Sequence, residues 1–439
     1  MSEAAEPGPI DRIQEAIVDE EDARACAEIS ADACRVVPRN FVLIAACQTL
    51  SNLGDHLANP KTVLTWLLGF VGAPASLVAL LVPIRESGSM VPQLLIAGFV
   101  RRLPRRKMVW VLGSLLQALA VFAIALTAAM GKGLIAGGLI VLLLALFSLS
   151  RGLNSVASKD VLGKTIPKRR RGRLSGLGAT LSGVGAVLLG LYMGTVRHDT
   201  DSPAFYVALL CAAALLWVVA AITYASIREF TGETQGGANA LSEAVKRLDL
   251  LRTDRNFRRF VITRALLLCS ALSAPYYVVL AQQQHGASLQ SLGWFILANG
   301  LASSLSASFW GILADVSSRR VMLIAAAWAA VLGLAVFAVT TFESPLRDAS
   351  WTYPIAFFLL GIAHSGVRLG RKIYVVDMAG GNRRTDYVSV GNTVIGVILL
   401  LTAVLGPLGS IITPAGILLL LSICGLTGVA IGSTLPEVE

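Results

Sequence analysis

Gly311-Ile312-Leu313-Ala314-Asp315-Val316-Ser317-Ser318-Arg319-Arg320 decides the fold, because an altered copy stands earlier in the chain. That copy is Gly98-Phe99-Val100-Arg101-Arg102-Leu103-Pro104-Arg105-Arg106-Lys107, at an offset of 311 − 98 = 213. The same offset pairs Lys159 with Lys372, Arg170 and Arg171 with Arg383 and Arg384, Gly178 with Gly391, Thr180 with Thr393 and Gly183 with Gly396. No gap is needed anywhere between these pairs. The chain therefore reads as two copies of one unit.

Each copy is built to span a membrane. The 439 residues are 55% hydrophobic and only 15% charged, where a soluble chain carries about a quarter charged residues. Mean hydropathy is +0.70. A spanning helix needs about 20 mostly apolar residues. Such stretches lie at 40–66, 72–99, 108–130, 133–158, 174–195, 203–226, 260–281, 288–313, 321–342, 353–377, 387–411 and 413–434. The expectation is an all-α membrane protein of twelve transmembrane helices in two pseudo-symmetric six-helix bundles, 40–226 and 260–434. A tail (1–39) precedes them, a linker (227–259) joins them, and a short tail (435–439) follows.

Basic loop residues set the expected orientation. One side carries Arg101, Arg102, Arg105, Arg106, Lys107, Lys164, Lys168, Arg169, Arg170, Arg171, Arg173, Arg319, Arg320, Arg383 and Arg384. The other offers Lys132, Arg197 and Arg347. Both termini are expected in the cytoplasm, and the net charge of +10 is an orientation signal. It does not point to nucleic acid, since no folded soluble surface of useful size would display it. The acidic first segment (Glu20-Glu21-Asp22) lacks a basic start and an early apolar run, so it does not read as a cleaved signal.

Enzyme chemistry finds little support. Gly163-Lys164-Thr165 ends like a phosphate-binding loop, but Ser158 stands where the first glycine belongs and no strand precedes it. Six scattered cysteines without a CxxC read as small apolar side chains. The four histidines form no cluster. No metal or cofactor is expected.

The two loop copies resemble the signature of the major facilitator superfamily, Gly-x-Leu-Ala-Asp-x-x-Gly-Arg-Arg. Gly311, Leu313, Ala314, Asp315, Arg319 and Arg320 match, with Ser318 in place of the glycine. In the first copy Arg102 stands where the family has an acid, and Ser150-Arg151-Gly152 resembles the family's fourth-helix arginine motif. The resemblance covers about residues 40–434. It implies a monomeric secondary transporter in a lipid bilayer, for a bacterial chain the cytoplasmic membrane. It also assigns Asp315, with Arg319 and Arg320, to a conformational latch, and the fourth and tenth helices to the wall of a central cavity.

Charges inside the spans nominate the site, because they are costly there and face protein or water. Arg151, Ser155 and Lys159 fall at i, i+4 and i+8. Adding 213 gives His364, Arg368 and Lys372. Two polar stripes follow, and the second is fully basic when His364 is protonated. Lys159, Arg371 and Lys372 could instead extend to the head groups. Asp55 and Glu86, the latter next to Arg85, lie mid-span in the first copy, and the repeat partners of the two acids, Leu268 and Asn299, carry no charge. Arg85 and Glu86 are adjacent, hence about 100° apart, and need different partners. Deep cations outnumber deep acids. The reading is a proton-coupled carrier of a small organic anion or anionic amphiphile, bound by Arg151, Ser155, His364, Arg368 and Arg85, with Asp55 and Glu86 handling the proton. The alternatives are efflux of drugs or lipophilic cations, and a non-transporting sensor or assembly factor.

Overall fold

The structure, a computed structural model, describes residues 35–100, 102–195, 204–231, 248–286, 288–314, 316–342, 344–379, 384–404 and 412–438. The acidic segment, most of the linker, Arg197, Asp315 and Arg383 lie outside the described residues.

The described residues are helical throughout their ordered elements. The first half holds α1 (Val37–Leu57), α2 (Val63–Phe70), α3 (Val78–Met90), α4 (Gln93–Val100), α5 (Lys107–Met130), α6 (Gly133–Thr165), α7 (Lys168–Thr195) and α8 (Ala204–Ala225). After the short α9 (Leu250–Thr253) come α10 (Arg255–Leu266), α11 (Cys269–Leu272), α12 (Ala274–His285), α13 (Leu289–Ala314), α14 (Ser318–Thr341), α15 (Thr352–Met378), α16 (Arg384–Leu401) and α17 (Pro414–Gly432). Among the described residues, eight helical stretches are long and apolar enough to cross a membrane, and the chain is a multi-pass membrane protein.

The lipid solvent is visible in α5. Met108, Leu112, Leu115, Leu119, Phe122 and Leu126 are exposed at three- and four-residue spacing, while Gly113, Ser114 and Gln117 are buried. The apolar face points outward, which is unfavourable in water and favourable in hydrocarbon. Inside, Asn154 donates to Ser114 Oγ at 2.8 Å, so the buried polar groups meet one another.

Three expected spans are broken. The first divides at Asn59-Pro60-Lys61, between α1 and α2. The second contains Pro83 and breaks again at Val91-Pro92. The seventh becomes α10, α11 and α12, with Pro275 in the first turn of α12. Proline removes a backbone donor, so such breaks are tolerated where they line a cavity inside protein.

The core shows how the halves meet. One apolar cluster draws on both, joining Trp66, Leu81 and Trp217 to Tyr277, Phe295 and Leu418. Two further clusters lie near the basic loops. One uses only residues of the first half, including Val109, Val161 and Leu174. The other uses only the second, including Val321, Tyr374 and Tyr387. The halves are thus packed together at the end remote from the basic loops and parted at the basic end.

Glycine sets the closeness of that packing. α7 and α13 run antiparallel, and a Cβ on Gly190 would lie 2.4 Å from the Leu297 nitrogen. A Cβ on Gly293 would lie 2.5 Å from the Gly194 nitrogen. Nothing but a hydrogen fits at this crossing. Gly172, Gly176 and Gly311, toward the basic ends of the same helices, meet nothing within 4 Å.

Candidate functional site

The parted halves enclose a cavity of about 640 Å³. Broken helices supply much of its wall: Asn52, Asp55 and His56 from α1, Asn59, Pro60 and Lys61 from the following turn, and Arg85, Glu86 and Ser89 from α3. α6 contributes Arg151, and α15 contributes Phe357, Leu360, His364, Arg368 and Arg371.

On the first-half wall, one carboxylate holds two guanidiniums. Arg85 Nη2 lies 3.1 Å from Asp55 Oδ1, and Arg151 Nη1 lies 2.5 Å from Oδ2. Arg85 also stands over the Phe147 ring, 5.0 Å from its centroid. The side chains are 13–31% exposed, so the group is partly screened. Glu86 points the other way. The charges of Lys61, Arg85, Arg371 and Arg368 act on it, and it has no ion pair within 4.0 Å among the described residues. The adjacent Arg85 and Glu86 thus differ: Arg85 is paired with Asp55, and no described residue pairs with Glu86.

The second-half wall is dominated by cations. Lys61, from the break after α1, reaches across and sets Nζ 3.2 Å from His364 Nε2. His364 Nδ1 lies 3.1 Å from Ser270 Oγ. An ammonium has only donors, so Nε2 must accept, and the ring proton then sits on Nδ1. With Lys61 as an ammonium, the imidazole is neutral in this arrangement. Further bonds join the halves: Asn299 Nδ2 to His56 Nδ1 at 3.0 Å, Ser87 Oγ to the Gly396 carbonyl at 2.8 Å, Gln282 Nε2 to the Trp66 carbonyl at 3.2 Å and Gln290 Nε2 to the Gly194 carbonyl at 3.0 Å.

Helix geometry corrects the stripes. Successive residues turn about 100°, so i+8 falls about 80° off the starting face while i+7 falls about 20° off. Accordingly Arg371 lines the cavity with His364 and Arg368, and Lys372 is exposed. Lys159 is exposed as well, and Ser155 lies outside the cavity lining, accepting from Gln93 Nε2 at 3.4 Å. Of the nominated residues, Asp55, Arg85, Glu86, Arg151, His364 and Arg368 come together. Lys61 was missed: a lysine directly after a proline inside an apolar span was the available signal.

At the basic end, each half is closed by a glutamate. Glu229, with a side chain 0% exposed, accepts from the backbone nitrogens of Arg106 (2.8 Å) and Lys107 (2.7 Å), the start of α5, and from Lys164 Nζ (3.2 Å). A carboxylate at a helix N-terminus is favoured by its free amides and dipole. Glu437 stands at the start of α14 and accepts from Ser317 Oγ at 2.8 Å, Arg319 Nη2 at 2.8 Å and Arg320 Nε at 3.3 Å. The Ser317 hydroxyl, then Arg319, hold it below the usual carboxylate range. Arg319 and Arg320 therefore engage their own half; Asp315, the third latch residue, lies outside the described residues.

The sequence model of the Major Facilitator Superfamily matches residues 267–438. No curated protein matches the chain by sequence. Similar solved structures include a POT family transporter in complex with 5-aminolevulinic acid, at TM-score 0.70 and 9% identity, covering 90% of this chain and 95% of that one. The inward-open xylose transporter XylE from E. coli aligns at TM-score 0.65 and 12% identity, covering 91% and 97%. The nucleoside transporter NupG aligns at 0.63 and 13%, covering 90% and 98%. At these identities the likeness is one of fold.

Proposed function

We propose, from the premise that this chain belongs to the major facilitator superfamily, that it is a proton-coupled secondary transporter of a small organic anion or anionic amphiphile. One observation carries the substrate class. The cavity is lined by five cations (Lys61, Arg85, Arg151, Arg368, Arg371) and two acids (Asp55, Glu86), a formal excess of 5 − 2 = +3 with neutral imidazoles. Such a wall repels cations and attracts anions. The apolar Phe357, Leu360, Ile395 and Leu399 offer surface for a hydrocarbon portion.

In this reading the bundles 40–226 and 260–434 rock about the cavity, which is exposed to the cytoplasm in the present state if the basic loops are cytoplasmic. The chain then acts as a monomer in the cytoplasmic membrane, with both termini inside. Asp55 already spends its charge on two arginines. Glu86 has cations around it and none in contact, so it is the better placed proton carrier: a dry neighbourhood favours the neutral acid and an approaching guanidinium releases the proton.

The experiment is uptake into proteoliposomes under an imposed pH gradient, with candidates chosen by a thermal-shift screen, since a ligand of the folded state raises its stability. Accumulation of an anion, lost in Glu86→Gln while exchange at equal pH persists, is expected. Movement of lipophilic cations alone would overturn the substrate class. A protein that moves no solute would be a sensor or scaffold.

A further inference from the structure

Among the described residues, no opposite charge is paired with Arg264. It lies in the last turn of α10, just before the helix breaks, and is only 6% exposed. Nη2 donates to Asn392 Oδ1 at 2.8 Å, while Nε is buried without a hydrogen-bond partner. No described carboxylate lies within the 4.0 Å of an ion pair. Among the described residues, the charge acting on it is like in sign, that of Arg371.

Arg371 likewise has no contact partner among the described residues. It lines the cavity, makes no hydrogen bond or ion pair, and feels Glu86 only from beyond contact distance. Asn392 accepts from Arg264 through its oxygen, which leaves its amide nitrogen available to donate, and no described residue accepts from it. Three neighbouring groups thus present unused donors and no acceptor. The end of α10 supplies about half a negative charge, too little for two guanidiniums. Burying a charge without compensation is strongly unfavourable, and a guanidinium does not escape by losing its proton.

We propose that Arg264, Arg371 and the Asn392 amide form an anion-binding station beside the central cavity, accepting a compact anionic group of halide or carboxylate size. Leu267 and Leu268, one turn beyond Arg264, line the cavity, so the station adjoins it toward the basic end. The occupant is either a resident inorganic anion or the acid group of an organic anion. The station stands whether or not the chain transports.

Equilibrium binding of radiolabelled chloride and of radiolabelled formate to the purified full chain in detergent tests this. Saturable binding of at least one probe is expected. Arg264→Gln and Arg371→Gln should each weaken it about 10- to 150-fold, the range for losing a hydrogen bond to a charged group. Lys372→Gln, an exposed cation on the same helix as Arg371, should bind as the parent does. Chloride that formate cannot displace identifies a resident halide; tighter formate binding identifies the acid group of an organic anion. If Arg264→Gln fails to fold, Arg264→Lys should fold and bind more weakly for want of the planar fork, and Arg371→Gln reads the station by itself. Absence of saturable binding by both probes, or binding unchanged in the folded variants, would overturn the proposal.

Discussion

The two walls of the cavity carry the same residue type to opposite effect. On the first half, Arg85 and Arg151 are both fastened to Asp55, at 3.1 and 2.5 Å. On the second, Arg368 and Arg371 face the same space with no partner in hydrogen-bond or ion-pair range among the described residues. A guanidinium already engaged by a carboxylate has less to offer a ligand than one whose donors are idle. The first wall is a support whose guanidiniums are already engaged, and the second is where an incoming anion gains most.

The largest effect expected from this difference follows Asp55→Asn. It leaves two guanidiniums facing each other across a neutral amide. Breaking a buried pair costs about 3–5 kcal/mol, and the partial exposure here places this case below that range. Denaturation in detergent should show a clear loss of stability. If stability is unchanged, the first wall is not a closed electrostatic unit and the comparison collapses.

Next comes ligand affinity. Arg368→Ala should weaken binding of an identified anion about 10- to 150-fold. Arg151→Ala should cost less than Arg368→Ala, because its charge is shared with Asp55. Titration of both variants against the same ligand decides the order, and the reverse order would exchange the roles of the walls.

A smaller effect is expected from Lys61→Met, which removes the donor joining the walls through His364. Losing one hydrogen bond is worth about 0.5–1.5 kcal/mol, roughly a two- to tenfold shift between conformations. A single cysteine at Ser303, which lines the cavity, in an otherwise cysteine-free chain, should label correspondingly more slowly from the basic side. An unchanged rate would mean that the bond does not hold the halves in this state. Ser155→Ala should do least of all, changing affinity by under about twofold, since one weak side-chain hydrogen bond is all it loses. A larger loss of affinity would return Ser155 to the cavity wall.

Much of this was legible before any coordinates. Span positions follow from runs of apolar residues, and Asp55, Glu86, Arg151 and Arg368 from the cost of charge within them. What escaped did so for specific reasons. The stripes were drawn at i+8, where helical drift carries Lys159 and Lys372 off the face and brings Arg371 onto it. Lys61 hid within a span taken as continuous, although Asn59-Pro60 marked the break. Glu229 and Glu437 escaped because they are 437 − 229 = 208 apart, not 213, so the repeat register does not pair them. Arg264 carries no local signal at all: whether a buried arginine has a counter-charge depends on packing between distant helices.

The two glutamates at the basic end have a mechanical consequence. Each ties the chain leaving the last helix of its half to the first turn of α5 or α14, and every described bond it makes stays within residues 104–229 or 317–437. A half so stapled keeps its shape when it tilts against the other. The two clasps therefore contribute equally to any pair of states related by such tilting and set no preference between them. That preference is left to the glycine crossing of α7 with α13 and to whatever occupies the cavity, so a change to a clasp should alter how long the protein lasts rather than which way it faces.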